Sequence, residues 1–127
     1  MEPEAAAPVV VAAVEDMFFS TKIEAAARRA GVTLKLVIDE KQLEESLNNS
    51  APSLIIIDLN SRTCDPIGSI RRIKANASLA RIHMIGFFSH VQVELEQAAR
   101  SAGCDQILAR SAFSARLQAI LSACGGR

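Results

Sequence analysis

Residues 54–62 read LIIIDLNSR: four large aliphatic side chains, an aspartate, one more leucine and then three polar residues. A carboxylate is costly to bury, so an apolar run that ends in one marks an edge where charge is met. The run SLIII (53–57) has strand length and no polar alternation, the texture of a strand covered on both faces. Such a strand belongs in the middle of a parallel sheet with helices on either side. Asp58 then either closes a turn or is the group for which the edge exists.

Short runs rich in Val, Ile and Leu recur at 9–14 (VVVAAV), 33–38 (TLKLVI), 81–88 (RIHMIGFF) and 105–109 (DQILA). The run at 33–38 alternates, as a less buried edge strand would. Between the runs the apolar spacing turns helical. Ile23, Ala26, Ala27 and Ala30 share a face in 20–30, Leu43 and Leu47 in 40–49, and Ile67, Ile70, Ile73 and Ala77 in 66–77. Val91, Leu95, Ala98, Ala99 and Ala102 do so in 91–102, and Phe113, Leu117, Ile120 and Leu121 in 112–123.

The punctuation agrees with these segments. Asp39 with Gln42 and Ser89 with Gln92 read as capping boxes, and Asp65 before Pro66 as an N-cap with proline at the first helical position. Gly31, Gly103 and Gly125 stand where left-handed C-caps are wanted, and Pro52 ends the second helix. Five strands alternating with five helices make an α/β chain, a doubly wound (βα)5 unit with a parallel five-stranded sheet. One domain over 8–124, with a poorly ordered tail at 1–7, is the expected organisation.

Composition narrows the function. Fourteen basic residues balance fourteen acidic ones, so no overall field steers the chain to nucleic acid or a membrane. The pairs Arg28–Arg29 and Arg71–Arg72, with Lys74, read as solvated helix faces. The acidic start MEPEAAAP does not read as a signal peptide, and the apolar runs fall short of the ~20 residues that span a bilayer. Cys64, Cys104 and Cys124 are scattered, form no CxxC and fit small packed thiols in a reducing cytoplasm. His83 and His90 have no second ligand at metal-site spacing, and His90 reads as an exposed first-turn residue. Phe18, Phe19, Phe87 and Phe88 read first as core aromatics, with Phe18 and Phe19 alternatively covering a site or forming a partner surface.

Doubly wound sheets bind ligands outside the carboxyl ends of their strands. Glu15 and Asp16 follow the first strand, Asp58 ends the third, Ser89 and His90 follow the fourth, and Arg110 and Ser111 follow the fifth. Three acids brought together call for a cation, and oxygen-only ligands favour Mg²⁺. A carboxylate beside that ion can take a phosphoryl group, while a guanidinium suits phosphate oxygens.

Along residues 8 to 123 the chain resembles the receiver domain of bacterial response regulators. The resemblance rests on the acidic pair Glu15–Asp16, on PSLIIIDLNSRTCDP and on AGCDQILARSAF. It implies a flavodoxin-like, CheY-like sheet with strand order 2-1-3-4-5. It also implies that Asp58 is the phospho-acceptor and that Glu15, Asp16, Asp58 and the Asn60 carbonyl hold Mg²⁺. Arg110 falls at the family's lysine, and Ser89 is the candidate switch hydroxyl. The partners implied are a histidine kinase or phosphotransfer protein and a downstream protein target, reached from the cytoplasm, with a homodimer also open to it.

The chain departs from the family in places. Phe88 falls where the switch hydroxyl stands, Ile107 where the switch aromatic stands, and Ser111 where a proline follows the lysine. The loop from Met17 to the first helix is one residue short against the family's spacing. A second reading follows: a phosphorylation-independent pseudo-receiver acting as a protein-interaction module. A third, a nucleotide-binding flavodoxin-like enzyme, is disfavoured because EDMFF follows the first strand instead of a glycine-rich phosphate loop.

Overall fold

A computed structural model of the chain describes residues 8–49, 51–89 and 92–125. The proposed tail at 1–7, His90 and Val91 lie outside the described residues. Five strands, β1 (Val9–Ala13), β2 (Thr33–Val37), β3 (Leu54–Asp58), β4 (His83–Phe88) and β5 (Gln106–Ala109), alternate with five helices. The helices are α1 (Met17–Ala30), α2 (Glu40–Asn49), α3 (Pro66–Ala75), α4 (Val93–Ala102) and α5 (Arg110–Gly125). All strand pairs are parallel, and the sheet order is β2-β1-β3-β4-β5, as the sequence leads one to expect.

The strands' period of two sorts their side chains between two cores. Val10, Ala12, Leu54, Ile56, Ile85 and Phe87 face α1 and α5, where Phe19, Ile23, Phe113 and Leu117 meet them. Val11, Ala13, Ile55, Ile57, Met84 and Phe88 face α2, α3 and α4, against Leu43, Ile70, Ile73 and Ala99. All five residues of β3 are buried, whereas β2 lies at an edge and exposes Thr33. That is why LIII carries no polar alternation and TLKLV does. Cys64 and Cys104 are buried and Cys124 is half-buried, all three as free thiols.

Several boundaries move. Asp16 accepts from the Phe18 and Phe19 amides, so α1 opens at Met17 and the expected loop before residue 20 does not exist. Ser89 does not cap α4: that helix opens at Val93 with Gln92 as N-cap, and the Gln92 side chain makes no cap bond. β5 runs directly into α5 at Arg110, and α5 continues through Gly125, so Gly125 is not a cap outside the helix. Gly31 and Gly103 do adopt the left-handed cap conformation, at φ 75° and 112°. Asp39 accepts from the Gln42 amide as an N-cap should, but the Gln42 side chain reaches back to the Ile38 amide.

Two packing expectations also change. Phe19 is buried, but Phe18 stands 74% exposed with Met17 at 80%, because successive residues of a helix point in different directions around its axis. Lys74 is no solvated-face lysine. Its Nζ donates to the Ala80 and Ile82 carbonyls and to Asp105 Oδ2, which also receives the Met84 amide. Lys74 thereby ties the end of α3 to the starts of β4 and β5.

Candidate functional site

Strand order reverses between β1 and β3, and the crevice at their carboxyl ends is where this topology places ligands. Asp58 ends β3 there and is 6% exposed. Its Oδ1 accepts the Asn60 amide at 2.9 Å, and its backbone carbonyl accepts the Ser61 amide at 3.2 Å. Burial pushes the Asp58 carboxyl above its ordinary range. The Asn60 and Glu15 amides oppose that shift, while the Glu15 carboxylate beside it adds to it.

The loop after β3 is braced from three sides. Glu15 Oε1 accepts the Arg62 amide at 2.7 Å, and the Thr63 hydroxyl donates to the Ile38 carbonyl. Glu40 Oε2 accepts the Asp65 amide at 2.9 Å and stands 3.6 Å from Arg72. On the fourth strand's side, Asn60 Oδ1 accepts the Ser89 amide at 2.6 Å. None of these braces has a signature in the sequence, because each joins connections from different βα units.

Asp16 is committed elsewhere. One oxygen caps α1 through Phe18 and Phe19, and the other takes Arg110 Nη2 at 2.8 Å. The Phe19 amide holds the Asp16 carboxyl below its usual value; burial opposes it, and the Arg110 guanidinium and the Phe18 amide add to the lowering. The Arg110 guanidinium carbon also lies 4.6 Å from the Phe19 ring centre. Phe19, Phe87 and Phe113 form one aromatic cluster, with Phe87 and Phe113 stacked at 5.0 Å. Arg110 and Ser89 share a cleft of about 470 Å³ with Phe19, Lys22, Ser111 and Ser114. Phe88, at the expected hydroxyl position, is 6% exposed in the core on the α2, α3 and α4 side of the sheet, and Ile107 packs partly buried against that core.

The rim therefore divides into two groups. Glu15, Asp58 and Asn60 lie together over β1 and β3, Asp16 and Arg110 lie towards α1 and β5, and Ser89 touches both, through its amide on Asn60 and its place in the cleft with Arg110. Among the described residues no three acid, imidazole or thiol side chains gather as a metal-holding group. Two neighbouring carboxylates with a carbonyl still form a hard-oxygen set, of the kind that suits Mg²⁺ with waters and a phosphate completing the shell. Glu15, Asp58 and the Asn60 carbonyl fit that description. Asp16 keeps lone pairs on both oxygens beside its bonds to the Phe18 and Phe19 amides and to Arg110.

No protein-family model matches the chain, and no curated protein does. Solved structures do. The receiver domain of sensor histidine kinase PA1611 from Pseudomonas aeruginosa, with a magnesium ion coordinated in its active-site cleft, superposes with a TM-score of 0.81 at 24% identity. That match covers 96% of this chain and all of the other. The chemotaxis response regulator CheY4 of Vibrio cholerae gives 0.80 at 13% identity over 93% of this chain and 98% of its own. The phosphorylated cyanobacterial phytochrome response regulator RcpA gives 0.79 at 18% identity, over 93% and 91%. The fold is that of response-regulator receiver domains. Among the described residues, no helix is long and apolar enough to cross a membrane.

Proposed function

We propose that this chain is a receiver-like signalling domain in which Asp58 accepts a phosphoryl group from a phosphohistidine on a histidine kinase or phosphotransfer protein. The reading is carried by Asp58 itself, a carboxylate ending the central strand at the point where strand order reverses. One Asp58 oxygen forms the new P–O bond as the donor's P–N bond breaks, and the imidazole leaves with the electron pair and takes up a proton. The Glu15 and Asn60 amides hold the attacking carboxylate in place and favour its charged form against burial. Glu15, Asp16, Asp58 and the Asn60 carbonyl would hold Mg²⁺, which would supply neutralising charge for the phosphoryl oxygens. Arg110 and the Ser89 hydroxyl border the cleft from the other side and supply donors to those oxygens. The domain then signals in the cytoplasm through contacts with a downstream protein, not as an enzyme on a small substrate.

The test is incubation with Mg²⁺ and acetyl phosphate, followed by intact-mass measurement. A single added phosphoryl mass, absent from Asp58→Asn, supports the reading. No added mass, or one that survives Asp58→Asn, overturns it.

One observation favours a second reading. Arg110 pairs with Asp16 and lies on Phe19, and it acts on Asp58 through its charge. Together with Phe88 at the hydroxyl position, this suits a pseudo-receiver that binds its partner without phosphorylation. Under that reading the mass experiment gives no adduct, and binding to a partner is the same for wild type and Asp58→Asn.

A further inference from the structure

We infer that Asn60 is a positioning residue that carries the charge state of Asp58 to the first turn of α4. The inference deepens the function proposed above by giving the site an outlet. Its test involves no phosphoryl transfer, so the two can fail separately.

The near end of the connection is rigid. Asn60 lies inside a turn closed by the Ser61 amide on the Asp58 carbonyl at 3.2 Å, and its own amide donates to Asp58 Oδ1 at 2.9 Å. The far end is its side chain. The β3–β4 register closes at Asp58 and Phe87, with the Leu59 amide on the Phe87 carbonyl at 2.8 Å. Ser89 lies beyond that ladder, and its amide is received by Asn60 Oδ1 at 2.6 Å. The side chain thus continues the pairing past the point where the strands separate.

From there the contact passes to α4. Asn60 Nδ2 faces Gln92 Oε1 at 3.5 Å, a weak contact longer than an ordinary N–H···O bond. Gln92 is the N-cap of α4 and makes no side-chain bond to the helix's own amides. Among the described residues, then, the Gln92 side chain meets the Asp58 loop, while its carbonyl accepts the Glu96 amide of its own helix at 3.0 Å. Val93, the first residue of that helix, stands 63% exposed.

A hydrogen bond to a carboxylate is shorter and stronger than one to a neutral acceptor. Changing the charge on Asp58 therefore changes the pull on the Asn60 peptide. A side chain as short as asparagine passes a displacement of its backbone to the groups it holds. Phe88, which follows Phe87 towards Ser89, is buried and offers no polar side chain to do the same.

The experiment is a double-mutant cycle read by amide chemical shifts in ¹⁵N-labelled protein, with wild type, Asp58→Asn, Asn60→Ala and the double variant. Asp58→Asn is expected to shift the Ser89, Gln92 and Val93 amides. In the Asn60→Ala background those shifts should fall to less than about half, while Glu15 and Leu59 keep theirs. Equal shifts at Ser89 and Val93 in both backgrounds, or none in either, overturn the inference. If Asn60→Ala does not fold, Gln92→Ala replaces it. The Asp58→Asn shift should then persist at Ser89 and fall at Val93, and an undiminished response at Val93 overturns the inference.

Discussion

Arg110 reaches Asp16 across 94 positions of chain, its Nη2 2.8 Å from Oδ2, while the other Asp16 oxygen holds the opening amides of α1. One carboxylate thus serves as helix cap and as ion-pair partner, and it joins the connections after β1 and β5. The ion pair is partly exposed, at 34% and 40%, so its own contribution is modest, about 0.2–1 kcal/mol. Loss of the cap costs about 1 kcal/mol on top of that. Asp16→Ala is therefore expected to lower the urea midpoint more than Arg110→Ala. A larger loss in Arg110→Ala would place the stability in the contact with Phe19 instead.

Asp58 is held as a buried acid against the preference of its surroundings. Asp58→Asn keeps the shape and an acceptor for the Asn60 and Glu15 amides while removing the charge that burial penalises. It is expected to stabilise the fold by about 1 kcal/mol, a rise of about 3–5 °C in Tm by thermal denaturation at neutral pH. A lower Tm would mean that the amides favour the charged form by more than burial costs it.

The acids of this chain respond to pH in opposite directions. Asp16, through the Phe19 amide, is depressed; so is Asp105, where burial is outweighed by Lys74 and the Met84 amide. Each contributes stability that is present above the unfolded carboxylate value and is lost as pH falls through the lowered folded one. Asp58 is raised, so its charge weakens the fold at neutral pH, and that cost is relieved as pH falls through the raised value. Wild-type Tm should hold or rise slightly on acidification and then drop below about pH 4. In Asp58→Asn the early gain should vanish, and in Asp16→Asn the late drop should be shallower.

Gly86 lies in β4 opposite Ile57, and a Cβ there would meet Leu59 side-chain atoms at 3.0–3.1 Å. Leu59 is 2% exposed, so any shift of its side chain has to be taken up within the core. Gly86→Ala is expected to destabilise by about 1–3 kcal/mol in urea denaturation. Adding Leu59→Ala should recover part of the overpacking cost, so the double variant should lose less than the sum of the two single changes.

Local patterns reached most of the fold. The unbroken LIIID announced a strand covered on both faces, TLKLV an edge, and Asp65–Pro66 the start of α3, because each depends only on neighbouring residues and the period of the element. The errors fell at the junctions. Ser89 looked like the cap of α4, yet its amide is drawn to Asn60, and Gln92 takes the cap position. Phe18 and Phe19 are adjacent and alike in sequence, but the turn of α1 sends one into the core and the other outward.

The sequence by itself determined the alternation of elements, the parallel sheet and the placing of Asp58 at the end of its central strand. Hydrophobic period and capping chemistry act over a few residues and are written in order along the chain. Only the tertiary structure decided how the rim acids divide. Glu15 braces the Arg62 amide beside Asp58, and Asp16 turns to α1 and Arg110. Adjacent residues leaving a strand point in different directions, and which partner each finds depends on loops brought together by the folded sheet.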